Sequence, residues 1–152
     1  MKQMIRRFSE LVSRNNLFLS SQEVLRKMIF GLDTRNRQLL VLADTGAAFE
    51  EQVIPLRVIQ ACTVRKQYRG IRPGALQPDH LAEFLDSVEL RLDIGGSDPL
   101  VLPFYEHGPD PQKAARPAER KAHLWAGAIE QMLKAGKLRP APPDAESAVN
   151  GR

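Results

Sequence analysis

Glu119 and His123 stand four residues apart in residues 117–135, where apolar residues recur with a helical period. On a helix that spacing puts a carboxylate and an imidazole on one face, as two ligands of a metal ion would need. An ordinary exposed i,i+4 pair has the same spacing, and no further ligand stands nearby, so no metal site is expected. Glu106, His107 and Asp110 bring acids and an imidazole together, which is raw material for general acid–base chemistry. Gly108, Pro109 and Pro111 around them describe a surface loop instead. His80 is isolated from the other two histidines. The single cysteine, Cys62, excludes a disulfide framework and a cysteine-based zinc site. It shares a strand side with Val58, Gln60 and Val64 and reads as a small buried hydrophobe. Gly95-Gly96 lacks the following Lys-Ser/Thr of a phosphate-gripping loop. No catalytic residue and no cofactor follows from these residues.

Binding chemistry has a clearer signal. Residues 65–72 interleave Arg65, Lys66, Arg69 and Arg72 with Tyr68 and a glycine. Such a segment suits a nucleic-acid backbone, with Tyr68 stacking on a base, or anionic lipid heads. Residues 57–72 contain no acid, whereas residues 79–98 carry Asp79, Glu83, Asp86, Glu89, Asp93 and Asp98 against Arg91 alone. Blocks of opposite sign also neutralise each other when they are neighbours in a fold, and that is the simpler expectation here.

The first residues pose a similar choice. Met1, Met4, Ile5, Phe8, Leu11 and Val12 recur at three- and four-residue steps, with Lys2, Arg6, Arg7 and Arg14 opposite. A helix of that kind lies on an anionic membrane, with Lys2, Arg6, Arg7 and Phe8 in contact, or packs its apolar stripe on its own domain. The short connection after Asn15-Asn16 favours packing.

These segments need elements to hold them. A chain of 152 residues suits one domain with its own core, and 43% hydrophobic with 26% charged residues is ordinary globular usage. No apolar run approaches the ~18–20 residues that span a bilayer. The N-terminus has no continuous apolar core, so it does not read as a signal peptide. Ser20-Ser21-Gln22-Glu23 resembles a helix-capping box. Residues 24–32 suit either a helix face or a strand. The turn cluster at residues 33–37 before Leu39-Leu40-Val41-Leu42 favours a hairpin. Asp44-Thr45-Gly46 turns again, and Pro55 suits a sheet edge. Val58–Arg65 reads as a long strand. Val88, Leu90, Leu92 and Ile94 alternate with polar residues before Gly95-Gly96 and the apolar run at residues 100–105, which makes a second hairpin.

Pro117 opens the clearest helix, with Ala118, Ala122, Trp125, Ala126, Ile129, Met132 and Leu133 on one face and Gly136 in a C-cap position. The expected fold class is α+β: an antiparallel meander, as a sheet or partly open barrel, capped by a C-terminal amphipathic helix and preceded by an N-terminal one. The expected divisions are an N-terminal helix over residues 1–16, one domain over residues 17–137 and a disordered tail over residues 138–152.

A strand series from Met28 to Tyr105, closed by one amphipathic helix that holds Trp125 at its middle, resembles the pleckstrin-homology-like (PH-like) domain. The resemblance covers about residues 24–136 and implies a non-catalytic interaction or scaffold module whose partner is a protein. Some pleckstrin-homology domains bind phosphoinositides through a lysine and an Arg-x-Arg element at the first hairpin, and Lys27 and Arg35-Asn36-Arg37 follow that order. A turn at residues 33–36 puts Lys27 at the far end of its strand, so Arg35 and Arg37 read as a solvated tip. The expected location is the cytoplasm, with peripheral attachment at the cytosolic membrane face as the alternative and nucleic-acid binding behind both.

Overall fold

The computed structural model describes residues 1–70 and 78–138. Arg72 therefore lies outside the described residues, as does all of the expected tail except Leu138.

The amphipathic period of the first residues becomes helix α1, Lys2–Arg14, which buries Met4, Phe8 and Leu11. Ile5, expected on the dry side, is 48% exposed. A helix turns ~100° per residue, so position 5 lies on the flank of a stripe centred on positions 4, 8 and 11. The helix ends at Asn15, whose amide Nδ2 donates to the Leu11 carbonyl at 2.8 Å. Asn16 then takes a left-handed φ of 53°, a conformation asparagine tolerates better than most residues.

Four strands follow as a meander: β1 (Ser21–Val24), β2 (Met28–Asp33), β3 (Gln38–Asp44) and β4 (Phe49–Pro55), antiparallel and adjacent in sequence order. The hairpin reading of residues 24–42 holds, but the capping box does not. Ser20 uses its Oγ on the Leu32 carbonyl at 2.9 Å, and residues 21–24 pair with residues 29–32. A strand partner thus takes the polar groups that a helix start would have used.

Every residue of β2 is buried. Met28, Phe30 and Leu32 face a central core together with Leu39 and Val41 of β3. Ile29 of β2, with Leu40 and Leu42 of β3, faces the opposite way into a second cluster with Met4, Phe8, Leu11 and Leu17. Gly31 makes the close approach on that side possible: a Cβ there would lie 2.7 Å from Leu19 Cδ1 and 3.2 Å from Phe8 Cζ.

A short 3-10 turn, Leu56–Val58, leads to the second sheet, in which β5 (Ile59–Tyr68), β6 (Leu85–Ile94) and β7 (Leu100–Glu106) pair antiparallel in the order β5-β6-β7. Gly96, with φ 77°, supplies the positive φ of the β6–β7 turn. The two sheets do not close into a barrel. Helix α2, Ala115–Leu138, packs on β5, β6 and β7 and completes the core.

Trp125 is 8% exposed, between the buried Ala122 and Ile129. Its ring meets Phe30 edge-on at 4.7 Å, and Phe30 meets Phe104 at 5.9 Å. The indole Nε1 donates to Glu23 Oε1 at 3.1 Å, so the polar tip of a large buried ring is satisfied. Pro117 falls in the first turn of α2, where its missing N–H costs nothing. Gly136 is no cap, because α2 runs through it. Arg37 Nη2 donates to the Met132 carbonyl at 2.7 Å, and a Cβ on residue 136 would collide with that guanidinium. Arg37 is thus half-buried against α2 rather than solvated. Arg35 stays exposed, with its guanidinium 5.2 Å from the Phe18 ring centroid.

Asp33 is fully buried at the β2–β3 turn. Its Oδ1 accepts from the Asn36 backbone N–H, and its Oδ2 accepts from Phe18 N–H and Asn36 Nδ2. Burial alone would raise its carboxyl, but the N–H groups of Asn36, Phe18 and Arg35 and the Asn36 side chain outweigh burial and hold it below the ordinary 3.8.

Two outcomes follow. Trp125→Ala removes the ring that joins both sheets to α2 and should cost about 3–5 kcal/mol in chemical denaturation; a loss under ~1 kcal/mol would refute the assigned packing. Asp33→Asn replaces one acceptor with a donor that faces donors, and should cost about 1–3 kcal/mol at neutral pH. Because the folded carboxyl is depressed, its contribution is complete above the unfolded value and is lost as pH falls through the folded one. The wild-type advantage over Asp33→Asn should therefore shrink in denaturation curves below about pH 4.

Candidate functional site

Sheet edges distinguish one strand from the rest. A free edge presents unpaired N–H and C=O groups, and native proteins protect such edges with short length, charge or proline. Of the four edge strands, β1 has only 4 residues. Strand β4 carries Glu50, Glu51 and Pro55, and β7 carries Pro103 beside a register shift on β6. Strand β5 has 10 residues and no proline, carries charge only as Arg65 and Lys66, and among the described residues pairs only with β6.

Along β5 the side chains alternate. Thr63, Arg65 and Gln67 are exposed on the outer face, while Cys62, Val64, Lys66 and Tyr68 are half-buried on the face that α2 crosses. Gln60, expected on the Cys62 side, is exposed, because a bulge between Ile59 and Ala61 shifts the register. The half-buried row lies beside α2, which packs on this strand. Burial, aided by the negative charge of Glu130, pushes the Cys62 thiol up to about 12. The thiol therefore stays protonated and is a packing group of this row rather than a nucleophile.

The basic strand and the acidic strand are neighbours. Arg65 lies opposite Glu89, Thr63 opposite Arg91 and Ala61 opposite Asp93. Lys66 finds its partner elsewhere: its Nζ donates to Glu119 Oε2 at 3.0 Å and lies 3.5 Å from His123 Nε2. The Glu119–His123 face of α2 thus receives an amine. Among the described residues, no group of three His, Cys, Asp or Glu side chains is placed to hold a metal ion.

Tyr68 packs half-buried on the core, which leaves only part of its ring open to the stacking role read from its neighbours. Arg69 is half-buried under the Pro78–Phe84 turn, with its N–H bonded to the Phe84 carbonyl and Nη2 to the Glu83 carbonyl, while its Nε is buried without a partner. Burial also raises the Tyr105 hydroxyl above its ordinary value, against the opposing pull of the Arg69 charge.

The loop acids serve structure. Arg26 Nη2 donates to Glu106 at 2.6 Å and its Nε to Asp110 at 3.3 Å, which fastens the β1–β2 turn to the end of β7. These partners lie 80 and 84 residues apart in the chain, so no local pattern announces them. A cleft of about 500 Å³ opens where the sheets fail to close, lined mainly by Ile54, Pro55, Val58, Ile94 and Leu100. Among the described residues Asp98 is its one ionisable lining group.

On α1, Lys2 and Arg6 are exposed, but Arg7 bonds Glu51 at 2.7 Å and Phe8 is buried to 4%. Phe8 therefore faces the sheet rather than outward. Among the described residues no helix is long and apolar enough to cross a membrane. No family model, no curated protein and no solved structure matches this chain.

Proposed function

We propose that this chain is a non-catalytic interaction module of PH-like type, working in the cytoplasm, that binds an extended segment of a partner protein as an added strand on β5. The long edge of β5, which has no strand partner among the described residues, carries this reading. Main-chain groups on that edge supply hydrogen bonds to any extended segment, and alternate side chains along the strand supply selectivity. Each added hydrogen bond contributes a net of ~0.5–1.5 kcal/mol, so several of them suit a reversible, micromolar contact. The PH-like reading is supported by the element order: a four-stranded sheet, a three-stranded sheet, and a C-terminal helix on the core.

The rival readings draw on less. Attachment to an anionic membrane would have Lys2 and Arg6 at its disposal, but Met4, Phe8 and Leu11 are spent on the sheet. A nucleic-acid role would have only part of the Tyr68 ring for stacking, since Tyr68 is half-buried against the core.

Strand addition is checked with a panel of extended seven-residue peptides, followed by amide hydrogen exchange on the protein. Bound peptides should slow exchange at alternate residues between 60 and 68. N-methylation of alternate peptide nitrogens should abolish binding in one register and spare it in the other. Protection confined to β4 or to the cleft between the sheets would refute β5 as the site.

A further inference from the structure

Building on the strand-addition reading, we infer that the segment added to β5 is acidic at one end and aliphatic at the other. A carboxylate side chain meets Lys66, a second meets Arg65, and aliphatic residues lie beside Val64 and Cys62. Charge decides the first half. Residues 57–69 hold Arg57, Arg65, Lys66 and Arg69 and no acid, and Arg57 and Arg65 are exposed. Arg65 faces Glu89 across the ladder without forming an ion pair among the described residues.

Lys66 is the specific element. An ammonium has three donors, and Glu119 and His123 take at most two of them. Its side chain keeps 29% exposure, so a further carboxylate can reach it. The other end of the half-buried row has the opposite preference. Cys62 is half-buried and feels the charge of Glu130, so an acid placed there would be repelled and an apolar side chain accepted.

Strand geometry converts this polarity into a sequence pattern. Side chains on one face of an added strand fall beside every second residue of β5. An antiparallel segment running past Lys66, Arg65, Val64, Thr63 and Cys62 in turn therefore reads acid, acid, aliphatic, any residue, aliphatic. Glu119 acts as the selective element: it holds Lys66 beside α2 and, by its own charge, competes with the incoming acid.

The test uses fluorescence anisotropy with the labelled peptide acetyl-Ser-Asp-Glu-Val-Thr-Val-Ser-amide and its amide analogue, in which Asn-Gln replaces Asp-Glu. The acidic peptide should bind about ten-fold tighter at low salt, with the gap closing as salt rises. Lys66→Met should remove the larger part of the acidic advantage, and Lys66→Met with Arg65→Met should bring the acidic peptide to the level of its analogue. Glu119→Gln should tighten the acidic peptide several-fold and leave the analogue unchanged. Equal binding of the two peptides, with β5 amides protected, would overturn the acidic preference and leave strand addition standing. If neither binds and β5 amides stay unprotected, both readings fall. Preference for a short oligodeoxythymidylate over the acidic peptide, or a β5–β5 dimer that excludes peptide, would also overturn the inference.

Discussion

Strand β2 has no wet face, and the rest of the fold follows from that constraint. Its even-numbered residues from Met28 to Leu32 face the central core, and Ile29 faces the opposite cluster, so each side of the sheet needs a cover. Helix α1 covers one side with Met4, Phe8 and Leu11. On the other, Phe30 stands at the centre of an edge-on aromatic group with Phe104 and Trp125, which joins both sheets to α2. Apolar area buried at ~25 cal/mol per Å² makes these two covers the main stabilising contacts. An amphipathic helix whose stripe is needed in this way has little left to offer a membrane.

Polar contacts then fix how the layers sit. Glu23 satisfies the Trp125 indole and pairs with Lys121, Arg26 clasps Glu106 and Asp110, and Arg37 reaches the Met132 carbonyl of α2. Most of these groups are partly exposed, so each ion pair adds little stability. Their geometric effect is larger, because each ties two elements distant in sequence into one arrangement. The buried Asp33 does the same for the α1–β1 connection, through the Phe18 N–H, at the cost of a desolvated charge.

The sheet edges differ in how they are protected. Acids and proline guard β4, brevity guards β1 and proline guards β7, while β5 offers ten residues beside a helix that leaves its inner side chains half-covered. An edge so exposed invites aggregation unless a specific partner uses it or its charges deter unspecific pairing. Arg65 and Lys66 supply that deterrent and, in the reading favoured above, the selectivity for an acidic segment.

Local repetition in the sequence determined the helices, most strands and both hairpins, because a period of 3.6 or 2 commits a segment before any distant residue matters. Thus α1, α2, the turn at residues 33–37 and the glycine turn at residues 95–96 were legible, and so was the burial of Trp125. Where two local rules competed, tertiary partners chose between them: Leu32 drew Ser20 into a strand pairing instead of a cap, and Arg37 kept Gly136 inside a helix. The candidate site was legible only as a basic stretch. The placement of Lys66 against Glu119 and His123, 53 and 57 residues away, arose from the packing of α2 across the β5–β7 sheet. Phe8 was buried by the packing of α1 on β2 and β3, and Tyr68 was half-buried against the central core. Side-chain type is a property of the sequence, but a partner at that separation is chosen only when the chain folds back, since no local period encodes contacts between distant segments.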